Sequence, residues 1–162
     1  MELTTFKKHS STIQINNKLS LNEIKSYNFL LLEAQNRLRE NINIKSFETT
    51  IQDVKNNMNI KSTNNYYLKE SLKKLSETVL EFNILNKDKT YSWIVMSLLA
   101  YCEIKQDRVI FDFNFKIREM LLEPNMFSIL DIVILKQFTS KYSTILYELV
   151  EDYKNVTIPK LT

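Results

Sequence analysis

Tyr66-Tyr-Leu-Lys-Glu-Ser-Leu-Lys-Lys-Leu-Ser-Glu77 opens the part of the chain, Lys61 to Phe115, on which the fold turns. Leu68, Leu72, Leu75 and Val79 recur at spacings of four, three and four, which places them on one face of a helix. Asn64 or Asn65 stands where an N-cap would accept bonds from the first free backbone N–H groups. Lys69, Lys73 and Lys74 lie off the apolar face and point to solvent. Upstream, Thr50-Ile-Gln-Asp-Val-Lys-Asn-Asn-Met58 reads as a second short helix capped by Thr50. The polar run from Asn56 to Asn65 is the turn between the two.

Downstream of the basic helix the period changes to two. Val79 to Leu85 puts Leu80, Phe82 and Ile84 on one side, and Asn86-Lys-Asp-Lys89 is a turn by composition. Tyr91 to Lys105 then reads as one long strand with two apolar faces: Trp93, Val95, Leu99 and Tyr101 on one, Ile94, Met96, Leu98, Ala100, Cys102 and Ile104 on the other. A strand of an antiparallel meander normally shows one face to water, so another element or another chain covers the second. The sharper expectation is a dimer interface made by Trp93, Ile94, Val95, Met96, Leu98, Ala100 and Cys102. After Gln106-Asp-Arg108 turns the chain, Val109, Phe111, Phe113 and Phe115 share one face of a half-buried strand. Two short helices, a polar turn and a hairpin are the order of a winged helix, an α+β fold in which the second helix and the wing meet nucleic acid. Expected contacts are Lys61, Thr63, Asn64, Asn65, Tyr66, Lys69, Lys73 and Lys74, lysines and a helix start suited to phosphate.

The flanks are read the same way. Met1 to Ser10, with Lys7, Lys8 and His9, is expected to be a frayed, solvated arm unless something ties it down. Thr12-Ile-Gln-Ile15 alternates like a short strand. Ser20-Leu-Asn-Glu23 is a capping box, and the helix it opens to about Glu40 carries Ile24, Tyr27, Leu31, Ala34 and Leu38, widened by Phe29, Leu30 and Leu32. So broad an apolar surface marks a central helix. A helix from Lys116 to Leu122 stops before Pro124, Met126 to Leu130 is extended, and Asp131 caps a brief helix through Gln137. The last helix, Ser140 to Asp152, is expected to bury Tyr142, Ile145, Leu146, Leu149 and Tyr153.

Composition removes whole classes of function. Glycine is absent from the 162 residues, so no phosphate-cradling loop or dinucleotide fingerprint can form, and the turns fall to Asn, Asp, Ser and Lys. One Cys (Cys102) and one His (His9) leave no disulfide framework and no Cys/His zinc site, and no nucleophile–base pair is in register. We therefore expect a non-enzyme with no cofactor and no metal. The net charge of +3 is too mild to announce a nucleic-acid partner; only its placement could. With no signal peptide and no long apolar span, the expected location is the cytoplasm, without a membrane partner.

Four stretches in order resemble one family. They are Lys8-His-Ser10 with Lys18-Leu-Ser20; Tyr67 to Leu75 leading into Val79-Leu-Glu-Phe82; Trp93 to Ile104; and Ile134 to Tyr142 with Leu146-Tyr-Glu-Leu149. The chain resembles the N-terminal winged-helix domain of the replication initiator (Rep) proteins of iteron-controlled theta-replicating plasmids. The resemblance implies a domain over residues 1–154 of the dimerisation type, with 155–162 beginning a linker to a second winged helix. It also implies double-stranded origin repeats as partner, a homodimer, auxiliary contacts to the DNA backbone, and dealings with a host initiator and a replicative helicase. The alternatives are a protein-interaction module that does not bind DNA, and a winged-helix transcriptional repressor.

Overall fold

The computed structural model describes residues 3–58, 60–61, 63–122 and 127–154. Its centre is helix α2, Leu21–Glu40, and the reason is compositional. Ile24, Tyr27, Leu30, Leu31, Ala34 and Leu38 are buried, and so are Phe29 and Leu32 on the flanks. Each buried Ile, Leu or Phe contributes about 1.5–3 kcal/mol when removed from water, so a helix apolar over this much of its girth has to be wrapped. The capping box starts it: the Glu23 amide donates to Ser20 Oγ at 3.2 Å, and Glu23 Oε1 accepts from the Ser20 amide at 3.2 Å.

Strand β1 (Thr5–His9) and helix α1 (Ser10–Gln14) precede α2; strand β2 (Phe47–Thr50) and helices α3 (Ile51–Met58) and α4 (Tyr66–Glu77) follow it. Both short helices pack on α2. Then come β3 (Val79–Leu85), β4 (Tyr91–Ser97), β5 (Tyr101–Lys105) and β6 (Arg108–Asp112). Helix α5 (Phe115–Leu122), strand β7 (Phe127–Asp131) and helices α6 (Ile132–Gln137) and α7 (Lys141–Tyr153) complete the described α-helices and strands. Three small antiparallel sheets result: β1 with β7, β2-β6-β5, and the hairpin β3-β4. The sheets and helices together make the α+β winged-helix arrangement, with α3 and α4 as the helical pair and β3-β4 as the wing.

Several expectations hold to the residue. Thr50 Oγ1 caps α3 by accepting from the Asp53 amide at 3.0 Å, and Asp131 caps α6; Ser140, expected inside the last helix, is the cap of α7. Others are corrected. Tyr91 to Lys105 is two strands in different sheets, because Leu98 and Leu99 plunge into the core between them and end β4. The apparent second apolar face was a change of sheet. Val79 leaves the helical face and begins β3, exposed. Phe115 is not on the face of Phe111 and Phe113; it starts α5 and is 80% exposed.

Residues 5–9 are no frayed arm but a strand paired with β7, and Thr12 to Ile15 are mostly helical, with His9 Nδ1 accepting from the Ser11 amide as the cap. Helix α7 meets expectation in part: Ile145 and Leu149 are half-buried, Ile145 against the core, but the fully buried face is a different one. Thr144 and Glu148 face inward, whereas Tyr142 is 81% exposed and Leu146 and Tyr153 are also outside. Pro124, Met126 and the expected linker at 155–162 lie outside the described residues.

Candidate nucleic-acid interface

Helix α4 is fixed by three leucines. Leu68, Leu72 and Leu75 are buried against the core, which turns the opposite side of the helix outward. Its start is capped from one residue further back than a standard N-cap: Asn64 Oδ1 accepts from the Tyr66 amide at 2.7 Å, while Asn65 makes no side-chain cap bond. Lys61, Thr63 and Asn64 are exposed beside this start, and Asn65 is half-buried. Tyr66 and Tyr67 are both exposed, with ring centroids 5.5 Å apart and nearly perpendicular planes. Sequence reading singled out Tyr66 and missed Tyr67; the pair would have been visible as two aromatic residues at a helix start, off the leucine face.

The lysines do not form one patch. Lys69 and Lys73, one turn apart, overhang a cleft of about 610 Å³ between α4 and β5. Lys74 instead lines a smaller depression with Ser20, Glu23, Tyr67 and Glu70, towards the start of α2. Successive helix residues are about 100° apart, so Lys73 and Lys74 necessarily diverge. The electrostatic footprint has two lobes divided by the helix itself.

The wing carries the other candidates. Its outer face pairs Leu85 with Tyr91, Asn83 with Trp93 and Glu81 with Val95. The Leu85, Tyr91, Trp93 and Val95 side chains are all exposed, Trp93 by 62%. Trp93 Nε1 donates to Glu81 Oε2 at 2.7 Å, which ties the indole to the neighbouring strand of the hairpin. Ile94 and Met96 point the other way and line a groove that Phe115 and Lys116 close. Leu98 has no exposed surface, so within this fold it is a core residue and no interface residue. Ala100 is exposed between the two clefts, and Cys102 faces the α4 side. Burial pushes the Cys102 thiol up to about 11, so at neutral pH it is a thiol and a poor nucleophile.

The basic N-terminal run contributes less than its composition suggests. Lys8 is buried and paired with Glu148. Lys7 is exposed, its ammonium 4.7 Å from the centre of the Phe127 ring. His9 packs against Phe82, its ring 6.0 Å away. Among the described residues no group of three or more His, Cys, Asp or Glu side chains could hold a metal ion, and no helix is long and apolar enough to cross a membrane.

A family model described as the WH1 domain of the Initiator Replication protein matches residues 5–151. No curated protein matches the chain.

Proposed function

We propose, since this chain belongs to the initiator replication protein family as a WH1 domain, that it positions the initiator on duplex DNA and pairs it with a second copy. Membership makes it a winged-helix domain of a plasmid replication initiator. The finer reading is that α4 and the wing lend contacts to the phosphate backbone at origin repeats while the wing's outer face serves self-association. A host initiator and a replicative helicase are the further partners of such a role, which needs no catalysis by this domain.

The observation that supports DNA contact is the start of α4. Exposed polar groups at Thr63 and Asn64, the two tyrosines and Lys61 stand around a helix N-terminus whose dipole favours anions, and Lys69 and Lys73 follow along the exposed side of the same helix. None of these is an Arg, and Asn64 is already engaged with the Tyr66 amide, so the set suits phosphates better than base edges. Affinity of this domain alone is then on the order of micromolar or weaker, and strongly salt-dependent.

The test is fluorescence anisotropy on a repeat-containing duplex and a scrambled one, at two salt concentrations. Lys69→Glu with Lys73→Glu should weaken both duplexes alike and reduce the salt slope by about one per lost phosphate contact. Unchanged affinity and slope in the folded double variant would remove DNA from this helix and favour a module that binds protein alone.

A further inference from the structure

We propose that the cleft between α4 and β5 is a docking groove for an extended acidic peptide, which adds to the free edge of β5 as a further strand. β5 ends its sheet: the order is β2-β6-β5, and no described strand pairs with its outer side. Lys105 and Arg108 face each other across a two-residue turn. The alternation of antiparallel pairing from that point turns the backbone groups of Glu103 and Tyr101 to β6. It turns the N–H and C=O groups of Cys102 and Ile104 outward. Those two residues line the cleft.

An open edge with unpaired donors and acceptors is usually blunted by proline, by a bulge or by a covering element. Here a helix, α4, stands across an open cleft from it. The cleft of about 610 Å³ has Lys69, Leu72, Lys73 and Ser76 of α4 as its far wall. A groove between an edge strand and a helix is the geometry in which peptides bind by strand addition, main-chain bonds giving affinity and side chains giving selection.

The wall identifies the occupant. Lys69 and Lys73 stand one helical turn apart, a rise of about 5.4–6 Å. Alternate residues of a strand are about 6.6 Å apart on one side. Carboxylates at positions i and i+2 of an added strand therefore match the two ammonium groups. The nearest carboxylate on β5, Glu103, is held by the Tyr101 hydroxyl at 2.5 Å. A duplex is too broad to reach the edge amides, so nucleic acid does not satisfy this groove. The inference does not depend on DNA binding, although two lysines are common to both, and a peptide in the groove would compete with phosphates for them.

The experiment uses the full chain, isotopically labelled, and two blocked octapeptides: alternating valine and aspartate, and alternating valine and lysine. The acidic peptide should bind about tenfold or more tightly than the basic one, the scale of two partly exposed ion pairs. At saturation, amide exchange at Cys102 and Ile104 should slow at least tenfold. Lys69→Glu with Lys73→Glu should reverse the peptide preference. Equal affinity for the two peptides, or unchanged exchange at both amides in the wild-type protein, overturns the proposal. A repeat duplex titrated in parallel should leave those two amides unchanged, which keeps the fate of the DNA reading separate.

Discussion

Lys8 Nζ lies 2.6 Å from Glu148 Oε1, with neither side chain exposed, and this pair ties the first strand to the last helix across 140 positions of sequence. Asn16 and Asn28 accept from the same ammonium at 3.2 and 2.9 Å, and Asn28 donates to the other carboxylate oxygen at 3.1 Å. Burial pushes the Lys8 amine down, and the Glu148 charge and hydrogen bond pull against that. Removing one partner strands the other charge. Lys8→Met should cost about 3–5 kcal/mol, and adding Glu148→Leu should recover most of it. Urea denaturation of the two variants checks this; a double variant as unstable as the single one would mean the pair itself carries the stability.

His9 gives a pH dependence with a definite sign. Burial lowers its pKa below the ordinary 6.5, with Asp152 opposing and Lys116 adding to the shift. The unfolded chain therefore binds the proton first as pH falls. Stability is full above about 6.5 and is lost as pH falls through the window down to the folded pKa. His9→Asn, which can still cap Ser11, should flatten the stability profile below about pH 6.5 relative to wild type. Identical profiles for the two proteins in thermal melts would sink the assignment.

The absence of glycine has a local cost. Lys89 and Gln106 take positive φ, 69° and 56°, at the turns of β3-β4 and β5-β6. A residue with a Cβ loses about 1–2 kcal/mol there, part of which glycine returns as unfolded-chain entropy. Gln106→Gly should thus raise stability by roughly 0.5–1 kcal/mol, and Gln106→Val should lower it by a similar amount. Chemical denaturation midpoints at constant slope decide it.

Helix α7 predicts tolerance where a helical pattern suggests core. Tyr142 and Leu146 lie outside, so Leu146→Gln should change stability by no more than about 0.5 kcal/mol. Glu148→Ala, on the inward face, should cost several kcal/mol by orphaning Lys8. A large loss from Leu146→Gln would mean that its face is packed.

These contrasts show what sequence can carry. Helices were legible where local chemistry determines them: Ser20 with Glu23, Thr50 with Asp53, and three leucines on α4 suffice without knowledge of the rest. The fully buried face of α7 was not legible, because which side faces in depends on a lysine 140 residues away. The break at Leu98 and Leu99 was hidden for a related reason: apolar residues on both sides of a run look alike whether a strand is covered twice or changes sheets. At the candidate site the α4 lysines and the helix start could be listed from spacing. Their division into two lobes, and the cleft against β5, required the placement of a strand, β5, that lies beyond the whole β3-β4 hairpin in the chain.

The wing separates self-association from folding. Trp93 and Val95 lie on its outer face and touch no core, whereas Leu98 is wholly interior. Trp93→Thr with Val95→Thr keeps residues that favour strands and removes most of the apolar face, so the fold should change by about 1 kcal/mol or less. If the outer wing pairs two copies, light scattering should show the double variant shifted to the mass of one chain at concentrations where wild type is dimeric. Leu98→Lys should instead unfold the domain, since it buries an unpaired charge and loses a core leucine together, a change worth at least about 3 kcal/mol. Persistence of the dimer in the folded double variant would place the pairing surface elsewhere, and the groove beside Phe115, lined by Ile94 and Met96, is the next to test.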